Sequence, residues 1–262
     1  MSRYAAMFER LGREAALGAF VMLGDPDPDS SASLLDALVV GGADMIEVGI
    51  PFSDPVADGP VIQAAALRAL NAGVRVADCF DMIAGFRERH PDVPLGILTY
   101  ANILVARSGF MREAAEAGAD SLLIADVPSL EAEPFALEMA QSGIEPVLIA
   151  APNTPDAALE RIARMSSAYT YCVSRSGITG THAAGRFDSG LVERLNRLGA
   201  PPPIFGFGIS TPDHVRAAVA AGAKGVICGS AIVAAADRGE DVTALVRSLK
   251  AGTRERLAAA MN

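Results

Sequence analysis

A chain of 262 residues that is 51% hydrophobic but only 5% aromatic, with no Trp, must build its core from Ala, Val, Leu and Ile, which suits a parallel sheet covered by Ala-rich helices in one large α/β domain. Its formal net charge of −9 excludes the clustered cations that a nucleic-acid partner requires, though not a small phosphorylated ligand. Cys79, Cys172 and Cys228 are odd in number, widely spaced and set in apolar stretches, so they read as reduced core thiols of a cytoplasmic protein rather than a disulfide framework.

The first ten residues carry charges where a secretory signal needs an apolar core, and residues 2–16 read as an amphipathic helix leading into the domain. Residues 18–25 read as a first strand, and the run DPDPDS at 25–30 as a loop ending at a helix cap. A helix over 31–41 stops at Gly41-Gly42. The apolar run of Met45, Ile46, Val48 and Ile50 then forms a second, buried strand with Glu47 in its middle. Pro60 suits the first turn of the next helix, and a further helix covers 76–89. Strands follow at 95–100, 121–126, 146–150, 169–174, 203–209 and 225–230, separated by helices at 105–117, 130–142, 155–166, 188–198 and 212–221, with a last helix at 241–258. The apolar stretch 215–236 has membrane-like length, but Arg216, Lys224 and several Gly break it into helix, strand and short helix.

Three joints echo one another: GADMI at 42–46, GADSL at 118–122 and GAKGV at 222–226 each set a helix-ending Gly just before an apolar strand. Eight strands alternating with helices, without a linker, point to a single domain over residues 1–262. The architecture is an eightfold parallel barrel, with a doubly wound open sheet as the weaker alternative.

A barrel gathers its chemistry at the strand C-terminal ends and the loops that follow. Glu47, Asp54 and Asp58 fall at one such end, and Tyr100, Asp126, Tyr171 and Ser174 at others. A buried carboxylate costs several kcal/mol unless paired or neutralised, so Glu47 is either half of a buried ion pair or a working acid. Asp54 and Asp58 have a second reading as turn or cap residues, Asp126 as a turn residue before Val127-Pro128, and Tyr100 as a seal of the barrel mouth.

Glycines cluster after the last strands, in SGITG at 176–180, Gly206-Phe-Gly208 and Gly229-Ser230. Residues 231–236 can form the short extra helix that offers amide N–H groups to a phosphate, although Ser230 could also simply cap it. Lys224 and Lys250 lie away from this end, so a Schiff-base amine is missing there. His90 and His214 lie elsewhere too, leaving His182 alone in a top loop, which is too few imidazoles for a metal site. The remaining chemistry is carboxylate acid–base work on a phosphorylated substrate, with Glu47 tending to a raised pKa.

The segments IEVGIPFSDPVADGP (46–60), LGDP (23–26), ADVP (125–128), YCVSRSGITG (171–180), GFGIS (206–210) and GSAI (229–232) resemble the tryptophan synthase alpha chain family, in its order and across essentially the whole chain. The resemblance implies a (β/α)8 TIM barrel with an extra N-terminal helix and a short phosphate-binding helix after strand eight. It implies retro-aldol cleavage of indole-3-glycerol phosphate to indole and glyceraldehyde 3-phosphate, without metal or organic cofactor in this chain. By the same likeness Glu47 is the acid/base, Asp58 accepts from the indole N–H, and Tyr171 assists at the reacting chain. Phe20, Leu98 and Tyr100 shape the indole pocket. Gly180, Gly208, Gly229 and Ser230 hold the phosphate, and Thr179 belongs to a closing lid. The family also implies a beta chain that uses pyridoxal phosphate, joined in an alpha2beta2 complex, with the Asp54 loop near the contact. Ala19, Met22 and Ala64 depart from the family's usual residues and are expected to touch the pocket wall and the partner-facing loop. Two other readings are a phosphosugar isomerase or epimerase on the same barrel and a non-catalytic activating subunit.

Overall fold

The computed structural model describes residues 1–173 and 187–254. Its strands are β1 (Ala16–Met22), β2 (Met45–Gly49), β3 (Leu95–Thr99), β4 (Ser121–Ile124), β5 (Glu145–Pro146), β6 (Leu148–Ala150), β7 (Thr170–Cys172), β8 (Pro203–Phe205) and β9 (Gly225–Cys228). All neighbours are parallel, in the order β5-β4-β3-β2-β1-β9-β8-β7-β6. The two ends of that order are consecutive in sequence. β5 and β6 are pieces of one strand parted at Val147, where Pro146 has no N–H to give a ladder. Val147 N–H still reaches Leu122 O at 3.1 Å, so the fifth strand joins β4 to β7 and the sheet closes as an eight-stranded barrel.

The helices are α1 (Arg3–Leu11), α2 (Pro28–Gly41), α3 (Pro60–Asn71), α4 (Val76–Arg89), α5 (Ala101–Ala106), α6 (Phe110–Ala117), α7 (Glu133–Gln141), α8 (Asp156–Met165), α9 (Ser189–Arg197), α10 (Pro212–Ala220), α11 (Ser230–Asp237) and α12 (Val242–Arg254). Three expectations about their limits change. The leading helix stops at Gly12, because the chain must extend by Ala16 to enter β1. The helix expected over 105–117 is two helices, parted before Gly109, whose φ of 84° only glycine adopts freely. The second helix begins at Pro28, where Asp27 accepts the Ser30 N–H as its cap. Gly42, Gly118 and Gly222 have φ of 98°, 97° and 99°, so the sequence echo is one left-handed helix stop used three times.

Strand alternation splits the core into two layers. Leu17, Ala19, Val21, Ile46, Val48 and Ile97 face the helices. Ala16, Phe20, Met22, Met45, Leu123, Tyr169, Tyr171, Ile204 and Ile227 fill the barrel. Ala19 therefore packs under the helices and does not touch the pocket wall. Met22 is inside the barrel and Ala64 is exposed on α3. The base of the barrel is closed by α1, whose Tyr4 hydroxyl lies 2.9 Å from Ser121 Oγ. Beside it, Lys250 of α12 reaches buried Asp44 at 2.5 Å. Cys79, Cys172 and Cys228 are buried and free, and burial pushes each thiol up to about 12, so none is a nucleophile at neutral pH. No helix among the described residues is long and apolar enough to cross a membrane.

Candidate active site

Glu47 enters the barrel because it sits between Met45 and Gly49 on the inward face of β2, in register with Phe20 of β1 and Gly96 of β3. It is 1% exposed, and its Oε1 accepts from the Tyr169 hydroxyl at 2.9 Å. Among the described residues its Oε2 has no hydrogen-bond partner. Among the described residues no cation pairs with it, so the ion-pair reading gives way. Burial raises its pKa from 4.5 to about 7, the Tyr169 hydrogen bond pulls the other way, and the Asp58 charge adds to the rise.

Asp58 lies in the loop between β2 and α3. Its Oδ2 accepts from the Tyr100 hydroxyl at 2.8 Å, and that same hydroxyl accepts the Ala57 N–H at 3.2 Å. Gln63 Nε2 donates to the Asp58 carbonyl at 2.8 Å, so the loop is held from both sides. Asp58 does not cap α3, which starts at Gly59-Pro60 without a side-chain cap. Burial raises its carboxyl above the ordinary value and the Tyr100 bond opposes the rise. Tyr100 stacks on Phe52 with centroids 5.3 Å apart.

Tyr171 stands on the inward face of β7, with its ring edge-on to Phe207 at 5.9 Å. An ideal Cβ on Gly206 would fall 1.9 Å from Tyr171 Cζ, so this ring occupies space that only glycine leaves free. Burial first, then the charges of Glu47 and Asp58, raise its phenol well above 10.0 and keep it protonated.

These groups surround one cavity of about 220 Å³. Glu47 and Asp58 line it together with Phe20, Leu98 and Tyr171. Gly208, Gly229 and Ser230 form its other end, where Ser230 opens α11 and Gly208 has φ 79°. Acid–base groups and an aromatic wall at one end, with a glycine cradle at a helix N-terminus at the other, suit a phosphorylated substrate with a flat apolar head. Tyr100 stands behind Asp58 rather than on the cavity wall. A wider groove of about 810 Å³ lies beside Asp25, Arg68 and Asp237, where Arg68 is bidentate on Asp25 at 2.6 and 2.8 Å.

Thr179 and Gly180, with Ser174 and His182, lie outside the described residues. Asp54 is exposed and does not line the cavity, and Asp126 lies in the turn after β4, where its carboxylate accepts the Ala101 N–H at 2.9 Å and ties that turn to the start of α5. Sequence reasoning missed Tyr169 as the partner of Glu47, and it missed Phe207 and Ile62 on the cavity wall. The signal for Tyr169 was its spacing of two from Tyr171, which puts both rings on the same face of a strand.

Residues 8–261 match the family model described as tryptophan synthase alpha chain. The chain is 46% identical over 267 residues to the tryptophan synthase alpha chain of Klebsiella pneumoniae subsp. pneumoniae, covering 97% of this chain and 99% of that one. It is 48% identical over 238 residues to that of Aeromonas hydrophila, covering 89% of each. Among solved structures it is similar to tryptophan synthase subunit alpha from Legionella pneumophila, with TM-score 0.87 and 29% identity over 97% of this chain and 98% of that chain. A chain of tryptophan synthase from M. tuberculosis, in an aminoacrylate-bound form, has TM-score 0.85 and 30% identity over 97% and 100%.

Proposed function

The chain belongs to the tryptophan synthase alpha chain family, and on that premise we propose that Glu47 carries the proton transfers of its reaction while Asp58 stabilises the charge that develops on the indole ring. That reaction is the cleavage of indole-3-glycerol phosphate to indole and glyceraldehyde 3-phosphate in tryptophan biosynthesis. The carrying observation is the unpartnered Oε2 of a buried Glu47 on the wall it shares with Asp58.

Breaking the bond between the indole ring carbon and the glycerol chain requires a proton on that carbon and removal of the proton from the neighbouring hydroxyl. A carboxyl with a pKa of about 7 both gives and takes a proton near neutrality, so Glu47 serves both transfers. Asp58 accepts from the indole N–H and stabilises the positive charge that develops on the ring. Tyr171, held protonated, assists as a hydroxyl donor beside the reacting chain, and Tyr169 positions Glu47. Phe20 and Leu98 hold the ring, while Tyr100 fixes Asp58. Gly208, Gly229 and Ser230 receive the phosphate with Gly180, and Thr179 closes the lid. Both protons pass through protein carboxyls, so the step draws on no metal or organic cofactor in this chain.

The family implies a beta chain partner. Val56 and Leu130, in the loops after β2 and β4, and Val105, on α5 after β3, are exposed at 70%, 69% and 76% on the site's end of the barrel. We assign this apolar rim, beside the Asp54 loop, to the contact with a pyridoxal-phosphate beta chain in an alpha2beta2 complex. The whole chain acts as one cytoplasmic catalytic domain. Indole release from indole-3-glycerol phosphate, with and without a beta chain, tests the assignment. Glu47→Gln and Asp58→Asn are each expected to lose about 10²–10⁴-fold or more in rate. Near-parent turnover in either variant refutes the role given to that residue.

A further inference from the structure

Met22 does not line the cavity, yet its thioether meets the tip of a ring that does, that of Phe20. On β1 it is the register partner of Gly49, one inward position above the pairing of Phe20 with Glu47. An ideal Cβ on Gly49 would stand 2.8 Å from Met22 Cε, 3.0 Å from its Sδ and 2.9 Å from Phe20 Cζ. The thioether and the tip of the Phe20 ring thus close on the same hollow, the one left by the missing side chain on β2. At its other end, the Phe20 Cβ and Cδ1 lie 3.4 and 3.3 Å from an ideal Cβ on Gly229. The ring spans the wall between two glycines, and Met22 is the movable group at its tip. A flexible thioether is suited to filling such an irregular gap.

We infer that Met22 is a positioning residue for Phe20 and sets the width of the cavity's aromatic end. The inference rests on the lyase reading above. Without the thioether, the Phe20 tip swings into the hollow over Gly49 and the wall retreats from the substrate ring. The consequence is specificity: the parent chain rejects an indole ring carrying an extra methyl group on that side.

The test compares Met22→Ala and Met22→Leu with the parent on indole-3-glycerol phosphate and on its series of methyl derivatives substituted around the benzene ring. One methyl group decides about 10–200-fold in an apolar pocket. Met22→Ala is expected to raise the kcat/KM ratio of at least one methyl derivative to the unsubstituted substrate by about tenfold, and Met22→Leu to leave it near the parent's. A ratio within about twofold of the parent across the series in folded Met22→Ala overturns the inference, because a merely structural role lowers both rates together. Met22→Val is the second variant should Met22→Ala be unfolded. A fluorine label on Phe20, followed by NMR, reports the ring without any turnover. Its resonance is expected to move in Met22→Ala and to stay near the parent's in Met22→Leu, and an unmoved resonance in Met22→Ala counts against the inference even if the parent proves inactive. Indole release by the parent separately decides the lyase reading.

Discussion

Glu47→Gln should stabilise the protein while stopping its chemistry, and the gain should depend on pH. Burial holds the Glu47 carboxyl protonated up to about 7 in the folded state, against an ordinary 4.5 in the unfolded chain. Below 4.5 both states carry the proton and the residue imposes no ionisation cost. As pH rises from there the unfolded chain releases its proton first, so the folded state loses relative stability until about 7 and remains at that deficit above it. At about 1.4 kcal/mol per pH unit, the deficit amounts to about 3 kcal/mol. A Gln cannot ionise, keeps the volume, and still offers an oxygen to Tyr169, whose hydroxyl is 2.9 Å from Oε1 in the parent. The assay is urea unfolding of parent and variant at about pH 5 and about pH 8.5. Because pH 5 already lies above the unfolded value of 4.5, part of the deficit is present there, and the gap should shift toward the variant by about 2–3 kcal/mol from the lower to the higher pH. A gap that stays constant within about 1 kcal/mol refutes the claim that folding desolvates an ionising Glu47.

Tyr169→Phe removes the hydrogen bond that favours the Glu47 carboxylate. Its titration, followed by NMR of a labelled carboxyl, should therefore move above about 7, by about one pH unit for a charged hydrogen bond; an unchanged or lower value refutes the pairing. Tyr100→Phe likewise frees Asp58 Oδ2 and raises that carboxyl further, so the acid limb of kcat/KM should move to higher pH by about one unit. Gly206→Ala forces a methyl into the Tyr171 ring, and is expected to cost about 1–3 kcal/mol of stability and to displace that ring in a crystal structure. Lys250→Ala removes the close cation from buried Asp44, leaving it the Leu17 N–H and Arg10 at 3.9 Å, and should cost about 3 kcal/mol in urea unfolding while leaving the Glu47 titration where it was.

The barrel was legible because its repeats are local. Helix period, strand run and a left-handed Gly at the joint all lie within one βα unit, and the joints at Gly42, Gly118 and Gly222 carry the same backbone turn. What the sequence hid depends on partners elsewhere in the chain. The division of the fifth strand at Val147 reflects pairing with β4 on one side and β7 on the other. The strand read over 203–209 ends at Phe205: Gly206 still gives its N–H to Cys172 O at 3.1 Å, and the chain then turns at Gly208, whose φ is 79°. The orientation of Ala19 was within reach: Phe20 faces inward, so its neighbour on a two-residue period faces the helices.

Glu47 was conspicuous for the same reason that it is costly, an acid in an apolar strand. Its setting was not legible, because Tyr169 lies 122 residues away in sequence and meets it only across the closed barrel. That setting explains why neither an ion pair nor an empty pocket would serve. A guanidinium against the carboxyl would hold it ionised and remove its proton, whereas burial with no partner would hold it neutral and deny it a base form. One phenol on Oε1 lies between these limits and leaves Oε2 open for work. Asp58, half-buried and held by a single Tyr100 hydroxyl, meets a smaller desolvation and remains the better anion. The barrel thus separates two carboxyls on one cavity by the depth of each, and the deeper one accepts a loss of folding stability as the condition of exchanging protons near neutral pH.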